Sequence, residues 1–208
     1  MAHKGAAVYV VGAGGAGREA LDICMALGRE VIAFLDDSAA GQVVRGHDVR
    51  RPGDAVSGAA YVVAIASPTA RVRLSRLLDA RGLRPTNLVH PRAVVCPETT
   101  IGPGAIVQAN VMVSSGVTIG SHCQVHYNAT VGHDTTLADH VTVMPGANVA
   151  GNVTLAEGAV VGSGAVVLQG RTVGVGAVVG AGAVVTRDVP GEVVVIGSPA
   201  APLAARVR

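Results

Sequence analysis

The chain has 208 residues and a net charge of +2; half of its residues are hydrophobic, yet only 2% are aromatic. With no basic run, no Trp and a single Phe, it lacks the stripe of cations and stacking rings that nucleic-acid binding requires. Cys24, Cys96 and Cys123 are scattered, with no C-x-x-C pair, which argues against a disulfide framework or a structural zinc site and fits a reducing, cytoplasmic setting.

From the N-terminus, "AAVYVVG" reads as a strand, "AGREALDICMALG" as a helix and "EVIAFLDD" as a second strand. "AAYVVAIAS" is a further strand, and "PTARVRLSRLLDARG" a further helix, with Pro68 suited to its start and Gly82 to its end. The apolar run near the start is short, broken by glycines and continuous with a helical pattern, so no secretion signal is expected. No stretch is long and apolar enough to span a membrane without a charge or dense glycines. Alternating β and α elements imply a parallel sheet, here one mononucleotide-binding half of a doubly wound fold. The expected division is an α/β unit over 1–87 and an all-β unit over 88–208.

Gly12-x-Gly14-x-x-Gly17 follows the first strand and opens a helix, with Gly15 inside it, and Asp36 closes the next strand 19 residues beyond Gly17. Glycines let the backbone approach a pyrophosphate, and the helix N-terminus supplies free N–H groups and a positive dipole end. A dinucleotide and a nucleotide-sugar share that pyrophosphate, so the motif alone does not separate them. The half size of the unit favours the nucleotide-sugar, as does the family that the second half of the chain resembles.

From Val89 the pattern changes. Val, Ile or Leu recurs every six residues through Val95, Ile101, Val107 and onward to Val185, seventeen unbroken steps. Four residues after each comes a second register of Ala, Val, Thr or Cys, with Arg171 as the clear exception. Period six is the hexapeptide signature of a parallel β-helix. Three short strands close each coil, so residues 18 apart stack roughly 4.8 Å from one another, and the seventeen steps make between five and six coils. Slender inward side chains explain the scarcity of aromatics.

In this register Val131 points inward and Gly132-His133-Asp134 forms the next turn. Side-chain alternation breaks down at a turn, so His133 and Asp134 can face one cleft, the carboxylate fixing the imidazole tautomer. A His-Asp pair at a turn can equally be a plain surface pair. The 18-residue column through His133 reads Pro97, Ser115, His133, Gly151, Gln169, Arg187, and Gly151 would leave a bare backbone N–H one coil above the ring. His140 should face elsewhere as a surface residue, and His126 and Asn128 can reach an acceptor. His90, His122, His47 and His3 have no evident partners.

The segments "VVGAGGAGREALDI", "FLDD", "LVHPRAVV", "VGHD", "PGANVAGNV" and "GAVVTRDVPGEVVVIGSPA" resemble the bacterial hexapeptide acetyltransferases that act on nucleotide-linked sugars. These include the UDP-4-amino-sugar and perosamine N-acetyltransferases and the sialic-acid O-acetyltransferase-like proteins. The resemblance implies a left-handed β-helix, acetyl-CoA as co-substrate, no metal, and a homotrimer with active sites between subunits. It implies His133 as general base assisted by Asp134, and Gly151 as the amide that binds the acetyl oxygen. Gln169 and Arg187 of the same column, with Ser198 and Pro199 of the tail motif, would contact CoA. The pair Asp36-Asp37 would contact the nucleoside, and Ala66-Ser67 would line its pocket. Two departures stand out: Thr142 lies where several relatives carry a second histidine, and Ala16 where they usually carry one in the glycine loop. The expected reaction is N-acetylation of a nucleotide-linked amino sugar. The alternatives are sugar O-acetylation, a γ-type carbonic anhydrase with zinc on the coils, and an inactive sugar-binding module.

Overall fold

The computed structural model describes residues 6–203; His3 lies outside them. The N-terminal region contains β1 (Val8–Val11), α1 (Gly15–Ala26), β2 (Val31–Leu35), β3 (Val43–Val44), β4 (His47–Arg50), β5 (Ala60–Val63), α2 (Pro68–Ala80) and β6 (Arg84–Pro85). They form one sheet in the order β3-β4-β2-β1-β5-β6, with β2, β1 and β5 parallel. The three central strands and both helices lie where the sequence pattern places them. The antiparallel β3–β4 hairpin escapes that pattern, because its strands are short, largely solvent-facing and lack an apolar run. Ser67 caps α2 by accepting the Ala70 N–H at 3.3 Å, and Pro68 occupies the first turn, where its missing N–H is not needed.

From Leu88 on, two-residue strands stack into a left-handed parallel β-helix with three faces. The first face runs from Leu88–Val89 through Gln124–Val125 to Val178–Val179 and Val194–Ile196; the second holds Thr130–Val131 and Asn148–Val149; the third holds Thr136–Leu137 and Thr154–Leu155. Pairing joins residues 18 apart, as in Thr130↔Asn148 and Val131↔Val149. From Ala105 on, both inward registers are buried except at Arg171, so the core is a column mainly of Val, Ala, Ile and Leu. Thr135 sits fully buried among them because its hydroxyl donates to Ala150 O and accepts the Val153 N–H, so no polar group is stranded. Arg171, the exception to the pattern, turns outward toward Gln169 O and Asp188.

Each corner places one residue at positive φ, every six residues from Gly104 to Gly182. The non-glycines there are Asn110, His122, Asn128, Asp134, His140 and Asn152, the types that tolerate the left-handed region best. Asp134 and the two histidines are therefore corner residues by backbone requirement as well as by chemistry. After Val185 the register contracts by two residues, and Val178 pairs with Val194.

The N-terminal region sits on the first face of the β-helix. Outward residues Leu88 and Ile106 of that face join the core beneath α1. Gln124 donates to Val63 O at 2.8 Å and Thr142 is fully buried. Arg71 of α2, with no exposed surface, reaches into the same junction. It donates to Ile65 O, Ala66 O, His122 O, His140 O and Thr142 Oγ1.

Candidate functional site

His133 and Asp134 lie at the corner between the second and third faces. His133 Nδ1 and Asp134 Oδ2 are 2.8 Å apart, and both side chains are more than half exposed. The carboxylate thus engages Nδ1 and leaves Nε2 for a substrate proton. Two glycines hold the pair from either side. A Cβ on Gly151 would lie 2.5 Å from His133 Nε2, and a Cβ on Gly116 would lie 2.6 Å from Asp134 Oδ1. The imidazole therefore packs flat against the Gly151 backbone one coil on, and the carboxylate against Gly116 one coil back. Sequence spacing places Gly151 beside the ring. Gly116 is an addition from the structure, although its 18-residue distance from Asp134 is the same kind of signal.

The column is held by backbone bonds from Asp134 N to Ser115 O, from Asn152 N to His133 O and from Gly170 N to Gly151 O. Among the described residues no such bond continues from residue 188 to Gln169 O, so the ladder ends before Arg187. Gln169 and Arg187 are exposed, as are Ser198 and Pro199, which lie at the C-terminal end of the β-helix several coils from His133.

His126 and Asn128 separate. His126 is buried beneath α1, close to Ala16, with Nε2 unpartnered, and burial lowers its pKa. Asn128 is an exposed corner residue whose Oδ1 accepts from Asn110. His140 is not the surface residue expected from its sequence position. It is buried at the corner between the third and first faces, its ring stacked on His122 at 5.3 Å, with Tyr61 on the other side of His122. The N-terminal region covers that corner, and no coil-by-coil reading reveals this. Burial, with the neighbouring His140 adding to it, pulls the pKa of His122 down to about 4.

In the glycine loop, Gly12 has φ +101°, and a Cβ on Gly17 would lie 1.9 Å from Gly12 O. These two glycines serve the turn and the close helix–strand approach. Gly14 and Gly15 are exposed, with open space beside them and no side-chain cap on α1, so no N-cap side chain satisfies the first N–H groups of the helix. Asp36 follows β2 and is occupied within the loop: Oδ2 accepts Ala13 N–H, and Oδ1 accepts the N–H and O–H of Ser38. Desolvation opposes its ionisation, but these hydrogen bonds outweigh it and lower the pKa. Asp37 is exposed and, with Asp36, lines a cavity of about 220 Å³. Ile65 lines it too; neighbouring Ala66 and Ser67 are exposed. Among the described residues no cluster of three His, Cys, Asp or Glu can hold a metal ion, because the histidines of the coils fall on three different corners.

Comparison with known proteins accords with this arrangement. Residues 7–78 match the PglD N-terminal domain, and residues 98–133 and 134–169 match the bacterial transferase hexapeptide (six repeats). A histidine-to-asparagine mutant of perosamine N-acetyltransferase from Caulobacter crescentus, solved with CoA and GDP-perosamine, superposes with a TM-score of 0.91 at 32% identity, over 96% of this chain and 97% of that one. The chain belongs to the PglD-type hexapeptide-repeat sugar N-acetyltransferases. Within that family, the acetyltransferase domain of PglB from Neisseria gonorrhoeae FA1090, solved with acetyl coenzyme A, gives 0.90 at 34% identity, over 94% of this chain and 98% of that one. GDP-perosamine N-acetyltransferase of Escherichia coli O157:H7 is 36% identical over 112 aligned residues, which span 47% of this chain and about half (49%) of that protein.

Proposed function

We propose that the enzyme moves an acetyl group from acetyl-CoA to the amine of a nucleotide-linked amino sugar, with His133 as general base. The observation that carries this reading is the imidazole held by Asp134 at 2.8 Å and pressed against Gly151. The amine attacks the thioester carbonyl carbon, and its proton passes to His133 Nε2 as the C–N bond forms. The carbonyl oxygen gains charge and takes the Gly151 N–H, which has no other acceptor among the described residues. The C–S bond then breaks, and the leaving thiolate of CoA takes up the proton from the imidazolium. CoA extends along the coils past Gln169 toward Arg187, Ser198 and Pro199.

Residues 1–87 bind the nucleotide-sugar in this scheme. The pyrophosphate meets the N-terminus of α1 at Gly14 and Gly15, and the nucleoside enters the cavity at Asp36, Asp37 and the 65–67 loop. Residues 88–208 carry the acetyl transfer. Topology supports a homotrimer. The nucleotide unit of one chain lies over the first face, whereas His133 lies on the opposite edge, between the second and third faces. A sugar held by one chain therefore meets the base of a neighbour. Three free cysteines and a CoA-linked donor fit the cytoplasm, and among the described residues no helix is long and apolar enough to cross a membrane.

The test is thiol release from acetyl-CoA in the presence of nucleotide-linked 4-amino sugars, with His133→Ala alongside. The variant should lose about 10²–10⁴-fold in turnover. Activity within a few-fold of the parent enzyme would remove the base assignment, and an O-acetylated product would redirect the acceptor to a hydroxyl.

A further inference from the structure

A small cavity of about 10 Å³ lies between the first turn of α1 and the β-helix, with Ala16 and Ala64 on one side and Ile106, Gln108, Gln124 and His126 on the other. That volume is the space of about one water molecule. Gln108 is engaged at both ends: its Nε2 donates to Glu19 Oε2 at 2.8 Å, and its Oε1 accepts the Tyr127 N–H at 3.0 Å. Gln124 is 2% exposed. Its Nε2 donates to Val63 O at 2.8 Å, which fixes the amide and leaves Oε1 without a partner among the described residues. His126 is 7% exposed, and its Nε2 has no partner among them either. Two positions apart in an extended segment, these side chains leave the coil on the same side, and both line the cavity.

We propose that this cavity binds one ordered water, which donates to Gln124 Oε1 and bridges to His126 Nε2, and that His126 thereby acts as a positioning residue for the glycine loop. A buried amide oxygen and a buried ring nitrogen each require a hydrogen-bond partner, and the space admits nothing larger than a water. The Nε2 of a neutral imidazole is a donor in one tautomer and an acceptor in the other, and a water serves either. An ammonium ion of similar size would bring a charge into a cavity with no carboxylate in its walls, where desolvation disfavours it. Losing the water strands two polar atoms beside Ala16, so the cost falls on the turn that carries Gly14 and Gly15. The water site stands on the geometry alone; its bearing on substrate affinity rests on the nucleotide-sugar reading above.

A crystal structure of the full chain, at a resolution that shows ordered waters, tests the site directly. One density peak should lie about 2.7–3.2 Å from both Gln124 Oε1 and His126 Nε2. A dry cavity, or an Nε2 bonded to a protein atom instead, would overturn the proposal. Kinetics on a nucleotide-linked amino sugar test the positioning role. His126→Phe keeps a ring but removes Nε2. It should lower the melting temperature by about 2–4 °C and raise the sugar-nucleotide KM about threefold or more, with a smaller effect on kcat. His126→Gln, whose terminal amide reaches the place of Nε2, should recover most of both losses. An unchanged KM in His126→Phe, or a Gln variant as impaired as the Phe variant, would overturn the positioning role. The crystallographic result reads the water even in an enzyme that acetylates no amino sugar, and a dry cavity leaves the acetyltransfer reading intact.

Discussion

Lowering the pH from 7 to 5 should loosen the junction between α2 and the β-helix before the carboxylates are protonated. His122 is buried there, stacked between Tyr61 and His140, with Arg71 bonded to its carbonyl. Burial, the His140 ring and Arg71 disfavour its charged form, and Asp79 and Asp139 only partly offset them, so its pKa falls from 6.5 to about 4. The neutral ring is therefore the native form. The unfolded chain binds a proton near pH 6.5 that the folded chain refuses, so this stability is complete above that value and drains away as the pH falls toward 4. From those two values the loss is about 2 kcal/mol by pH 5 and about 3 kcal/mol once the folded ring titrates. His140 and His126 are lowered in the same direction, again chiefly by burial, and add to the slope. Urea unfolding at pH 7, 6 and 5 reads the effect, since carboxylates remain largely ionised in that window. The His122→Asn/His140→Asn double variant supplies the control: both positions have positive φ, which Asn tolerates. It should start less stable at pH 7 but show a flatter decline. A wild-type protein that gains stability on acidification, or a double variant with an unchanged slope, would refute the reasoning.

Gly151→Ala should lower turnover by about 10²-fold or more with little change in melting temperature. Its Cβ would lie 2.5 Å from His133 Nε2, and the half-exposed ring is free to swing away from its catalytic position. Asp134→Asn keeps a residue that accepts φ 57° but removes the carboxylate that sets the imidazole tautomer. Steady-state kinetics should show a drop of about tenfold or more, with the circular-dichroism melt preserved. Arg71→Met strands the carbonyls of Ile65, Ala66, His122 and His140, so denaturant unfolding should show a loss of about 3–5 kcal/mol.

Much of the site is legible from spacing because the β-helix converts sequence distance into position. Residues 18 apart must stack, and this places Gly151 against His133 without any structural knowledge. The same rule accounts for Gly116 beneath Asp134 and for the His122–His140 pair. The burial of His140 escapes it, because exposure depends on what lies outside the coil. Thr142 and Gln124 look like ordinary outward residues of a solvent-facing strand, yet they carry the junction with Val63 and Arg71. Asp36 shows the opposite limit: the fingerprint spacing identifies it, but its neighbours in space engage both its oxygens, while the adjacent Asp37 stays exposed.

The sequence alone determined the coil, its register, its corners and the pairing of an imidazole with a stacked glycine. These follow from a strict six-residue period in which only slender apolar side chains fit inside. Tertiary structure decided which face the α/β region covers, which histidines are thereby dried and kept neutral, and which carboxylate is left exposed at the cavity beside β2. Those outcomes depend on contacts between segments as far apart as Arg71 and His140. No local periodicity encodes them, because burial is a property of what packs against a residue from elsewhere in the chain.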